Sequence, residues 1–186
     1  HCLLSVESSD ASESLNLLAA GRADLAIAVQ SKSDDRFEFA PLFSDELVFI
    51  FSPSHPWAKS GRVARDDIPN QQVILYGRTS FTGRLVDNYF KEDGITLQSV
   101  LELRSMSGIK EMVKLDLGIG IVAPWVARFE LSKGSLVALP LGRRKLRRSW
   151  GVLSRRDRRF SLPESTLIRL SHKAMAAEFG AQESNS

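Results

Sequence analysis

The chain has 186 residues, 43% of them hydrophobic, and a formal net charge of +3. That is enough for one ordinary domain or two small lobes with a real core. No run of 18 apolar residues is present, which excludes a membrane-spanning helix on sequence grounds, and Cys2, the single cysteine, allows no intrachain disulfide and no cysteine-based metal site.

In chain order, residues 2–7 alternate as a short strand that begins abruptly, so an upstream extension of the natural protein is expected. No basic and then apolar leader is visible at the start, and a reducing cytoplasm is the simpler compartment. Asp10, with Glu13 three residues on, resembles a capping box for a helix whose inner face is Leu15, Leu18 and Ala19 and whose end is Gly21. A buried strand over 25–29 completes a first βαβ unit with a Ser/Asp-rich opening. Residues 46–51, with LVFIF at their heart, form a strongly apolar strand. The turn SPSHPW follows, and its His55 reads as structural or exposed rather than functional.

Residues 73–76 read as a strand, and GRTSFT at 77–82 opens a helix carrying Phe81, Leu85, Val86, Tyr89 and Phe90 on one face. Gly94 stops that helix, and a strand returns over 97–103. The stretch 102–125 holds the densest information. Ser105 is placed to cap a helix with Met106, Ile109, Met112 and Val113 inward and Ser107, Lys110, Glu111 and Lys114 outward. The run 117–124 then reads as a strand buried on both faces, with Gly118 and Gly120 giving a tight turn and close backbone approach. A helix at 125–131, strands at 136–141 and 150–153, and a last helix at 164–179 complete the rhythm, with a frayed polar tail over 181–186. Strands alternating with helices argue for α/β architecture with mostly parallel sheets.

Two groups of residues carry chemistry. Helix N-termini at the carboxyl ends of strands favour anions through free N–H groups and the helix dipole. Three such openings occur, at residues 8–11, 78–82 and 105–108. The segment 143–159 carries nine Lys/Arg and one Asp, a local net of +8 that leaves −5 for the rest. It marks either a nucleic-acid or anion site, or the solvated ends of a strand at 149–154 flanked by Arg147, Arg148, Arg155 and Arg156. Catalytic groups do not converge: His1, His55 and His172 have no metal spacing, no nucleophile elbow is present, and LDLGIGIV is not a phosphate loop. The expectation is a binding protein with no catalytic residues, no cofactor and no metal.

Three blocks, LLAAGRADLAIAV, PLFSDELVFIFSPSHPWA and LELRSMSGIKEMVKLDLGIGIVAPW, together resemble the effector-binding domain of LysR-type transcriptional regulators over nearly all of residues 1–180. The resemblance implies a two-lobed type II periplasmic-binding-protein-like fold joined by crossing strands. Lobe I would be residues 1–45 and 151–180, and lobe II residues 46–150. It implies a small anionic effector between the lobes, a change of oligomer geometry on binding, and a homodimer or tetramer formed through this domain. DNA would be bound only through an N-terminal winged helix-turn-helix absent from these residues, and the family's first regulatory strand, normally central in lobe I, is absent as well. The expected effector-binding residues are Ser9, Asp10, Arg78, Thr79, Ser80, Ser105, Met106 and Ser107. Two positions depart from the family pattern: Asp116 stands where Gly is usual, and Met106 where Thr often follows the capping Ser. A solute-binding protein of a transport system, with the same fold, is the alternative.

Overall fold

The computed structural model describes residues 3–31, 34–156 and 158–179. They form two compact units, residues 1–45 with 148–186 (unit 1) and residues 46–147 (unit 2).

In unit 2, the second part of strand β2 (Phe37–Phe51) pairs antiparallel with β5 (Ile119–Val122) and with β6 (Val137–Pro140). Strand β3 (Gln72–Tyr76) pairs parallel with β5 on one side and with β4 (Gln98–Leu103) on the other. The order is therefore β4-β3-β5-β2-β6. The sheet is mixed: parallel where helices cross over, antiparallel where β2 enters.

Strand alternation builds two cores from one sheet. Leu47, Phe49, Phe51, Val73, Leu75, Ile119 and Ile121 face helix α3 (Phe81–Lys91) through Val86, Tyr89 and Phe90. Val48, Ile50, Ile74 and Val122 face helix α4 (Met106–Lys114) through Ile109 and Val113. Burying each such side chain contributes about 1.5–3 kcal/mol. The glycines between α4 and β5 serve different ends. Asp116 takes φ +60°, the left-handed turn that lets the helix stop, and Gly118 takes φ +145°. A Cβ on Gly120 would meet Ile109 and Val113 of α4 at 2.8 and 2.9 Å, so this glycine sets how closely α4 packs.

In unit 1, helix α1 (Ala11–Ala19) starts at Asp10, whose carboxylate accepts from Ser12 N and Glu13 N at 2.9 and 3.0 Å, and stops before Gly21 at φ +66°. It buries Leu17 and Leu18, with Leu18 joining Ala28, Phe37 and Leu153 in a small core. Strand β1 (Ala26–Val29) pairs antiparallel with β7 (Leu146–Arg155). The chain leaves unit 1 within β2 and returns within β7. The last helix, α6 (Leu162–Phe179), has no buried residue, and Phe179 stacks on Phe43 with ring centres 4.2 Å apart.

The structure corrects three expectations. Residues 3–10 form no strand, and Leu3, Leu4 and Val6 are exposed. Alternation alone does not hold a strand, which also needs a neighbour to pair with. The first βαβ unit is consequently not formed. Its Cys2 end, like the tail 181–186, lies outside the described residues. Arg148 does not cap a short strand in solvent: β7 starts three residues earlier than expected, and Arg148 is 3% exposed. The turn after β2 runs into a short helix, α2 (Pro56–Ser60), and His55, structural as expected, is its N-cap, with Nδ1 accepting from Trp57 N at 3.2 Å. Lys110 does not lie on the solvent side of α4; its side chain is 17% exposed and reaches Glu130.

Candidate anion-binding site

The parallel pair β3–β4 in unit 2 fixes the candidate site. Tyr76 sits opposite Leu103 at the carboxyl ends of the two strands, and Gly77 N donates to Leu103 O at 3.0 Å. Both chains then turn into helices at the same sheet edge. Ser80 caps α3, its Oγ accepting from Gly83 N at 2.9 Å, and Ser105 caps α4, its Oγ accepting from Gly108 N at 3.1 Å. Two helix N-termini thus open side by side, each adding partial positive charge and free N–H groups.

The six expected residues of unit 2 occupy this edge, but not in equivalent ways. Ser80 is 4% exposed, so its hydroxyl is devoted to the cap. Ser105 and Ser107 are exposed, and a serine that accepts a cap bond keeps its own O–H to donate. Thr79 is exposed too, with its carbonyl accepting from Arg84 Nη1. Met106 is half-buried and packs against both cores of unit 2, so its thioether helps seat α4. Arg78 is engaged: Nε lies 3.1 Å from Glu102 Oε1, the backbone N–H donates to Glu102 Oε2 at 3.3 Å, and Nη2 donates to Leu97 O at 3.4 Å. Ser9 and Asp10 belong to unit 1. There Asp10 caps α1, and Ser9 Oγ is 2.8 Å from Ser14 Oγ.

Two features escaped the sequence reading. Glu102 is the acid at the Arg78 opening, and the signal available was its place at the end of a strand that returns parallel to β3. The pair of Lys110 Nζ and Glu130 Oε1, at 2.9 Å, ties α4 to helix α5 (Arg128–Lys133). Sequence separation hid it. The Lys110 ammonium, hydrogen-bonded to Glu130, holds that carboxyl below its ordinary range, against the opposing effect of burial.

The basic segment 143–159 divides between the units, and several of its cations have partners within their own unit. Arg144 pairs with Glu92 and with Asp93 and donates to Tyr89 O at 2.8 Å, while Lys145 pairs with Glu46 at 3.3 Å. Arg148 pairs with Asp45, and Arg158 with Glu164 and Asp24. Among the described residues no group of three or more His, Cys, Asp or Glu could hold a metal ion, and no helix is long and apolar enough to cross a membrane.

The family model described as the LysR substrate binding domain matches residues 1–176. The HTH-type transcriptional activator CmpR of Synechocystis is 23% identical over 165 residues, covering 89% of this chain and 54% of CmpR. The chain thus spans about half the length of the curated relatives it matches. Among solved structures, the effector binding domain of QuiR in complex with shikimate superposes with a TM-score of 0.78 at 22% identity, covering 92% of this chain and 80% of that one. The regulatory domain of Synechocystis PCC6803 CcmR in complex with 2-PG gives 0.79 at 19% identity, covering 90% and 80%. The likeness to these structures is one of fold, the α/β periplasmic-binding-protein-like fold of such regulatory domains.

Proposed function

Because the chain belongs to the LysR substrate binding domain family, matched over residues 1–176, we propose that it is the effector-sensing part of a cytoplasmic DNA-binding transcriptional regulator. It binds rather than catalyses. The effector is a small anionic metabolite, held by the paired openings of α3 and α4, with Ser105, Ser107 and Thr79 donating hydroxyls and the first-turn N–H groups meeting the negative charge. Shikimate and 2-PG, held by the neighbours QuiR and CcmR, are both small anions, which supports this ligand class. Effector binding shifts the geometry of a homodimer or tetramer and so the presentation of a winged helix-turn-helix carried outside these residues.

The observation that carries this reading is the meeting of two Ser-capped helix N-termini at one sheet edge, joined by the Gly77–Leu103 hydrogen bond. A thermal-shift screen of small carboxylates tests it. A binding carboxylate is expected to raise the melting temperature of the wild-type chain more than that of Ser105→Ala. Equal shifts in the two proteins remove Ser105 from the site. The family match favours a regulator over a solute-binding protein of the same fold.

A further inference from the structure

Arg78 stands beside the two helix openings, yet its charge is paired with an acid of the same unit, while Nη2 donates to Leu97 O at 3.4 Å. The Glu102 carboxylate reaches it from the end of β4, where Glu102 is registered against Leu75 of β3. One oxygen accepts from the Arg78 backbone N–H at 3.3 Å, and the other lies 3.1 Å from Nε. The Nε–H is out of water but does not point along the line to Glu102, so this contact has the separation of an ion pair without a well-aligned hydrogen bond. Both side chains are nearly half exposed, which leaves the pair screened by solvent.

We propose that Glu102 is a built-in competitor for the effector: a carboxylate of the chain itself that pairs with the Arg78 charge until an anionic ligand displaces it. This rests on the reading that an anion binds at the α3 and α4 openings. The geometry suits displacement. A pair that is exposed and poorly aligned is worth only a few-fold in an equilibrium constant, whereas an incoming carboxylate or phosphate can take the guanidinium in a two-point, charge-assisted arrangement. Glu102 also repels weak or incidental anions, so it sets a threshold that favours ligands with further contacts to the Ser105 side. It is thus a determinant of specificity rather than a support for the fold.

Isothermal titration of the 186-residue chain with inorganic phosphate, acetate, succinate and shikimate tests the proposal. The proteins compared are wild type, Glu102→Gln, Glu102→Ser, Arg78→Gln and the Glu102→Gln/Arg78→Gln double variant, with melting temperatures recorded for all. Both Glu102 variants are expected to bind the same probe roughly two- to fivefold more tightly than wild type. Arg78→Gln should bind more weakly, and Glu102→Gln should give no gain on that background. Wild-type binding with equal or weaker binding by both Glu102 variants overturns the competitor role while leaving the anion site standing. Failure of every probe to bind both wild type and the Glu102 variants overturns the anion site itself, and the competitor with it.

Discussion

Lys110 Nζ lies 2.9 Å from Glu130 Oε1, and the carboxylate it meets belongs to a residue 6% exposed, with its other oxygen buried and unpartnered. The contact anchors α4 one turn beyond its capping Ser105. Removing the lysine leaves a buried carboxylate without its cation, the costly way to break an ion pair. Lys110→Met should therefore lower stability by about 1–3 kcal/mol, checked by urea denaturation with unchanged slope. The double variant Lys110→Met/Glu130→Leu should recover most of that loss.

The same pair predicts a pH dependence. Glu130 has a folded pKa below its unfolded value because Lys110 hydrogen-bonds its charged form. A depressed carboxyl contributes stability that is complete above the unfolded pKa, about 4.3, and is lost as pH falls through the folded value. In Glu130→Gln the fall in stability on acidification below about pH 4.3 should be shallower than in wild type. Parallel acid limbs in the two proteins would contradict the assignment.

Asp45, Arg148 and Trp150 form a buried network in unit 1. Arg148 Nε and Nη2 donate to the two Asp45 oxygens at 2.8 and 2.5 Å, and Trp150 Nε1 donates to Oδ2 at 2.9 Å. Asp45→Asn keeps the volume but removes the charge opposite a guanidinium whose side chain is 1% exposed. It should cost about 3–5 kcal/mol in chemical denaturation, and a change under about 1 kcal/mol would mean the pair is dispensable.

Much of this was legible in the chain. The caps at Asp10, Ser80 and Ser105, the strands β3 to β5 and the left-handed Asp116 follow from local rules: short polar side chains at helix starts, apolar runs between them, and a residue tolerant of positive φ. The residues 3–7 and Arg148 could not be read so, because a strand needs a neighbour and a buried guanidinium needs an acid 103 positions away in sequence. The candidate site divides along the same line. Its caps are local, whereas the use of Arg78 by Glu102 and of Lys110 by Glu130 depends on how β4 and α5 return to α3 and α4.

Gly120 offers a test of the α4 seat. An added Cβ would press on Ile109 and Val113 of α4 and on Ile50 of β2. Gly120→Ala should destabilise by about 1–3 kcal/mol and, by moving α4, weaken anion binding at its N-terminus. Denaturation and titration on one preparation separate the two effects.

Amide chemical-shift mapping of the 186-residue chain during titration with a binding small carboxylate tests whether an anion is held at the α3 and α4 openings. The largest shifts are expected on residues 78–80 and 105–108 of unit 2. Shifts of comparable size that spare both openings, and cluster elsewhere on the chain, would contradict it.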